Sequence, residues 1–175
     1  MVPAQSGSVE PIGPVLFAYD GSPLAMAAIA EAGRQLPARR DAIVLTVWRT
    51  FNVDFIPEPG AQFDAACAGE VGEAAEQTAA HGAALAEAAG FRAQALAVQG
   101  TPTGRTVIDT ADDRGASLIV LGSRGRAGLG ARIGGSVAGD VASHSQRPVL
   151  IVHHHADGDD RAPREPPPQI STASR

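Results

Sequence analysis

Apolar residues fall along this chain in short unbroken runs, separated by longer stretches where alanine and leucine recur at helical spacing. "VLFAY" (15–19), "AIVLTVW" (42–48), "SLIVL" (117–121) and "PVLIVH" (148–153) have strand length and are rich in branched residues. "FRAQALAV" (91–98) is a fifth strand with partial alternation. Between the strands the pattern turns helical. Asp20-Gly21-Ser22-Pro23 opens a helix to about Leu36, with Ser22 suited to the N-cap and Pro23 to the first helical position. Gly100-Thr101-Pro102 repeats that cap-then-proline start for a helix to about Arg114. Residues 64–89 make a helix closed by Gly90, weakened by Gly69, Gly72 and Gly82, and a last helix runs from about Ser136 to Ser145. "RTFNVDFIPEPGAQ" (49–62) carries too many prolines and turn residues for regular structure.

Strands alternating with helices imply βαβ units, right-handed crossovers and a mostly parallel sheet. Strands that are apolar throughout fit a sheet covered on both faces. The expected fold class is therefore α/β: a flavodoxin- or Rossmann-like open five-stranded parallel sheet, order 3-2-1-4-5, with helices on both faces. One domain, residues 14–153, is expected between a flexible N-terminus (1–13) and a disordered C-terminal tail (154–175), whose "REPPPQ" and scattered charges suit no packed core.

Composition narrows the function classes. The chain has 175 residues and a single cysteine, Cys67, so no internal disulfide forms, and a reducing compartment fits. Cys67 has no identifiable base or cation beside it in sequence and reads as an inert thiol. No charged segment followed by an apolar run opens the chain, and no apolar run reaches the roughly 18 residues of a membrane span, so a soluble, cytoplasmic protein is expected, with no membrane partner. The net charge of −5 argues against a nucleic-acid partner. All 14 basic residues are arginine, which removes the P-loop lysine, the kinase strand lysine and Schiff-base chemistry.

The densest local feature is "LGSRGRAGLGARIGGSV" (121–137), with glycine at 122, 125, 128, 130, 134 and 135. Glycine within ordered structure costs about 0.5–1 kcal/mol relative to alanine, so this is either a loose connector or backbone that must approach something closely. The P-loop pattern fails for want of lysine. The dinucleotide pattern fails because Gly134 arrives one residue late after Gly128-Leu129-Gly130, and on the wrong strand. What remains is Gly122, Gly125 and then, after nine residues, Gly135-Ser136. Such a segment leaves a strand, skirts a cavity and enters a helix whose first N–H groups suit a phosphate. Gly135 would let backbone approach the anion, Ser136 can donate to it, and Arg124 adds charge. Arg126 and Arg132 read equally well as solvated cations. With the order 3-2-1-4-5 the ligand crevice lies between strands one and four, where Asp20 ends one and Gly122 the other.

These motifs resemble the universal stress proteins of the ATP-binding kind. The spacing G-x2-G-x9-G-S at Gly122, Gly125, Gly135 and Ser136 is supported by "VLFAYDGSPLA", "GTPTGRTVIDTADDRGASLIVLGSRG" and "RPVLIVH", in order over residues 14–153. The resemblance implies an ATP site, with Mg2+ as the companion ion. Asp20 would lie near the adenosine or the metal, Val47 would hold adenine through its backbone, and Leu121 and Gly122 would border the ribose. Arg124 and Gly125 would face the phosphates, with Gly135, Ser136, Val137 and Ala138 binding them. It also implies a homodimer through the last strand, Val149 to Val152, and a role as a stress-response regulator and nucleotide sensor with no catalytic residue. A slow ATPase or nucleotide-dependent transferase on the same fold, with Asp20 as the carboxylate near the phosphates, and a nucleotide-free dimeric scaffold stand as alternatives.

Gly139 and Asp140 depart from the pattern by placing a poor helix former and an acid early in the last helix. His81 and His144 read as helix-surface residues, and His153-His154-His155 as a solvated strand end with no metal. Trp48, beside Val47, fits a base pocket, a core or a dimer contact. If the glycine loop cradles phosphate, Gly135→Val abolishes nucleotide binding in calorimetry while leaving the far-ultraviolet circular dichroism spectrum unchanged. Normal binding by that variant would overturn the carried-over site.

Overall fold

The structure, a computed structural model, describes residues 12–49, 61–123 and 137–153, with residues 61–68 described by backbone alone. In chain order the elements are β1 (Val15–Ala18), α1 (Pro23–Gln35), β2 (Asp41–Trp48), α2 (Ala61–Ala88), β3 (Arg92–Gln99), α3 (Thr103–Asp113), β4 (Leu118–Gly122), α4 (Val137–His144) and β5 (Val149–Val152). All five strands lie in one sheet in the order β3-β2-β1-β4-β5, every pairing parallel. The expected α/β class, strand order and parallel pairing are those observed.

The central strand explains why its sequence is apolar without alternation. Side chains alternate across a strand, and β1 buries both sets. Val15 and Phe17 pack with Ala28, Ile29 and Ala32 of α1 and with Ala83 and Ala86 of α2. Leu16 packs on the other face with Val107 and Ile108 of α3 and Val141 of α4. Helices α1 and α2 thus cover one face, and α3 and α4 the other. Phe17 meets Phe91 edge to face, ring centroids 5.2 Å apart, which ties the head of β3 to the middle of β1.

Helix α1 starts as its sequence predicts. Ser22 occupies the N-cap, its Oγ accepting from Ala25 N–H at 3.2 Å, and Pro23 follows at the first helical position. Helix α3 does not repeat that start. Pro102 itself takes the N-cap, no side chain caps the helix, and Thr103 becomes the first helical residue. Thr106 instead bonds back to Pro102 O through both its N–H and its hydroxyl, each at 3.1 Å. Residues 1–11 and 154–175, most of the two expected terminal segments, lie outside the described residues, as do 50–60 of the proline-rich stretch.

The amino edge of the sheet is fastened by arginine. Arg40 Nη2 donates to Ser117 Oγ at 2.5 Å and to Gly13 O at 3.2 Å, and Ser117 Oγ donates to the same Gly13 oxygen at 2.7 Å. Arg92 pairs with Asp41 across β2 and β3 at 2.7 Å, and Arg147 Nη1 donates to Ala116 O at 2.6 Å. The Arg92 guanidinium, bonding first and attracting second, lowers the Asp41 carboxyl below its ordinary range. The pair is exposed, so its contribution to stability is small.

Glycine in α2 is not a uniform weakness. Gly82 faces the sheet so closely that a β-carbon there would sit 2.6 Å from Tyr19 Cδ1 and 2.7 Å from Val44 Cγ1. Gly69 has nothing within 4 Å of that point. Gly69→Ala is therefore expected to stabilise by about 0.5–1 kcal/mol through helix propensity. Gly82→Ala is expected to destabilise, because overpacking of about 1–3 kcal/mol exceeds that gain. Urea unfolding of the two variants would show midpoint shifts of opposite sign.

Candidate functional site

Strands β1 and β4 are neighbours, yet the chain leaves them in opposite directions: α1 follows β1 onto one face and α4 follows β4 onto the other. A crevice opens where adjacent connections diverge in this way. Asp20 stands at its β1 side. Asp20 Oδ1 accepts from Ser22 N–H at 3.0 Å, across Gly21 in the left-handed region at φ +78. This Asx turn fixes one carboxylate oxygen to the same tetrapeptide that caps α1. Turn and helix start are one device, and Asp20 is oriented by it.

Gly122 stands at the β4 side, and its lack of a side chain has a local cause. A β-carbon at Gly122 would lie 2.9 Å from both the carbonyl carbon and the Cβ of Leu24, in the first turn of α1. The N-terminal turn of α1 therefore rests on the end of β4, and the crevice is closed on the α1 side.

The remaining predicted residues sort by face. Leu121 is 3% exposed and belongs with Ala138 to the apolar cluster on the α3/α4 face, against which Val47 also packs. Val137, at the start of α4, is 40% exposed. Asp20, Val47, Leu121, Gly122, Val137 and Ala138 all lie at the carboxyl ends of their strands or at the head of α4. Arg124, Gly125, Gly135 and Ser136, with Arg126 and Arg132, lie outside the described residues.

One neighbour of Val47 carries no mark in the sequence. Val98 of β3 pairs in register with Val47 and packs on the same face, half-buried. Only the pairing of β2 with β3 brings the two valines together, and no spacing motif marks Val98. Trp48 is resolved by alternation. It points to the opposite face from Val47 and lies against α2, where a β-carbon on Gly72 would be 3.3 Å from Trp48 Cζ2.

Behind the crevice, on the α2 face, Tyr19 makes a polar cluster that the sequence does not reveal. A hydrogen bond joins the Tyr19 hydroxyl and His81 Nδ1 at 2.8 Å, and Thr46 Oγ1 donates to Tyr19 O at 2.9 Å. His81 is exposed, as expected for a helix-surface residue, but its ring serves a buried partner. Burial raises the Tyr19 phenol above its ordinary range, and the negative charge of Asp20 adds to the effect. His144 is exposed and bonds to Asp140 within α4. Among the described residues no group of three or more His, Cys, Asp or Glu is placed to hold a metal ion, and no helix is long and apolar enough to cross a membrane.

Comparison with known proteins bears on this geometry. The model of the universal stress protein family matches residues 11–153. The chain belongs to the universal stress protein family. The "Universal stress protein in QAH/OAS sulfhydrylase 3'region" of Thermus aquaticus is 32% identical over 138 residues, covering 79% of this chain and 96% of that protein. Universal stress protein MJ0577 of Methanocaldococcus jannaschii is 35% identical over 66 residues, a stretch that spans only 40% of its length. The solved structure of MJ0577 superposes with a TM-score of 0.68 at 23% identity, covering 83% of this chain and 98% of that one, which shows the shared fold. A universal stress protein solved in complex with cAMP superposes with a TM-score of 0.52 at 26% identity, covering 82% and 98%.

Because Tyr19 is the single tyrosine, its ionisation is read directly from phenolate absorbance. Its titration midpoint is expected above the ordinary value of about 10. A phenol held protonated in the folded state contributes stability that is fully present below pH about 10 and is lost as pH rises through the folded midpoint. His81→Ala is expected to remove the hydrogen bond without moving the burial that dominates, so the midpoint stays raised.

Proposed function

We propose that this universal stress protein binds ATP, with Mg2+, in the crevice between the carboxyl ends of β1 and β4, and acts as a nucleotide-sensing regulator and not as an enzyme. The observation that carries the reading is the meeting of an oriented carboxylate, Asp20, with a close-packed glycine, Gly122, at the point where the chain diverges to opposite faces. A relative solved with cAMP supports an adenine nucleotide as the ligand class.

In this reading Val47 and Val98 form an apolar shelf for the base, and the Val47 backbone holds its edge. Leu121 and Gly122 border the ribose, and Asp20 addresses the adenosine or the metal. Arg124 and Gly125 face the phosphates, and Gly135, Ser136, Val137 and Ala138 hold them at the head of α4. The described residues fit a nucleoside: a half-buried apolar wall beside a carboxylate whose orientation is already set. Bound Mg2+ would supply charge neutralisation on the phosphates.

The domain of this reading is residues 14–153, in a cytoplasmic protein without nucleic-acid or membrane partners. Its apolar, half-buried edge strand β5 pairs Val149 to Val152 with a second copy, covering backbone groups that an open edge would expose. The test is a calorimetric titration of nucleotide-stripped protein with MgATP. Saturable heat at one site per chain is expected, with no phosphate released over hours in the same sample. Absence of heat at millimolar ATP from folded protein would overturn nucleotide binding, and steady turnover would overturn the non-enzymatic role.

A further inference from the structure

Asp140 is the residue that the nucleotide reading leaves without a task. It lies in the first turn of α4, and a side chain on a helix leans toward the helix N-terminus. A carboxylate there is drawn to the same positive end that would hold phosphate. Left free, its repulsion would weaken a nearby polyphosphate about tenfold or more.

The structure shows that it is not left free. Asp140 Oδ2 lies against Gly104, the second residue of α3, so closely that a β-carbon on Gly104 would overlap it and sit 2.9 Å from Asp140 Cγ. Gly104 is buried. The other oxygen, Oδ1, pairs with His144 Nδ1 at 3.0 Å. There is a reason for the carboxylate to lie at α3. That helix begins on Pro102 with no side-chain cap and no acid in its first turn, so its N-terminal dipole is uncompensated from within. Asp140 supplies from α4 the negative group that α3 lacks.

We infer that Gly104 is a niche that parks the Asp140 carboxylate on α3 and keeps it away from the phosphate-binding head of α4, so that Gly104 and Asp140 together are positioning residues for a polyphosphate ligand. The inference rests on the nucleotide reading. Its ligand specificity is for the charge of the phosphates and not for the nucleoside.

Gly104→Ala fills the niche and evicts the carboxylate; Asp140→Glu lengthens it beyond the niche. Each is titrated with MgATP and with adenosine. The expected result is a loss of tenfold or more in ATP affinity with adenosine affinity held within about twofold. Adding Asp140→Ala to Gly104→Ala, which removes the charge and makes room for the methyl group, is expected to restore most of the ATP affinity. ATP bound as tightly by both single variants as by the wild type overturns the inference alone. So does parallel loss of ATP and adenosine, or failure of the double variant to recover. If Gly104→Ala does not fold, Asp140→Glu decides by the same two affinities. Wild-type protein that binds neither ligand overturns the nucleotide reading and the inference with it.

Discussion

The contact between Gly122 and the first turn of α1 is the constraint on which this molecule is organised. A parallel sheet must be covered on both faces, so somewhere two adjacent strands must send their helices in opposite directions. Here that happens at β1 and β4, and the helix that turns back first has to pass the end of its neighbour. Leu24 passes Gly122 within a distance that leaves no room for any side chain. The same four residues, Asp20 to Pro23, make the strand exit, the carboxylate orientation and the helix cap. Shape and chemistry at this point have one origin.

Much of the fold was legible because the strong rules act locally. Ser22 and Pro23 announce α1 whatever the rest of the chain does, and the runs at 42–48 and 117–121 are too apolar for anything but strands buried on both faces. Local rules also explain the miss at α3. Thr101-Pro102 resembles Ser22-Pro23 in sequence, but the hydroxyl of Thr106 from the next turn bonds to Pro102 O, and the helix begins one residue later. The glycines of α2 look alike in a propensity count. Only the register of α2 on the sheet separates Gly82, pressed on Tyr19 and Val44, from Gly69, facing nothing.

The candidate site divides in the same way. Asp20 and Gly122 were legible because topology places strand ends, and strand order follows from the alternation of elements. Val98 was not, since its meeting with Val47 depends on the register of β2 with β3. Tyr19 and His81 are 62 positions apart, and no spacing rule links them. Asp140 looks like a defect when α4 is considered alone, an acid and a glycine where stronger helix formers belong. It makes sense only beside the uncapped start of α3.

The two rims of the sheet are held by different means. The amino rim is stitched by arginine: Arg40 binds Gly13 and Ser117, Arg92 binds Asp41, and Arg147 binds Ala116 O. At the carboxyl rim Gly122 packs on Leu24, and backbone bonds join neighbouring strand ends, Gly100 N–H to Trp48 O at 2.9 Å and Ser123 N–H to Val152 O at 2.8 Å. A molecule held at the carboxyl rim would stabilise the native state, and its concentration would set how long the chain withstands heat or a protease.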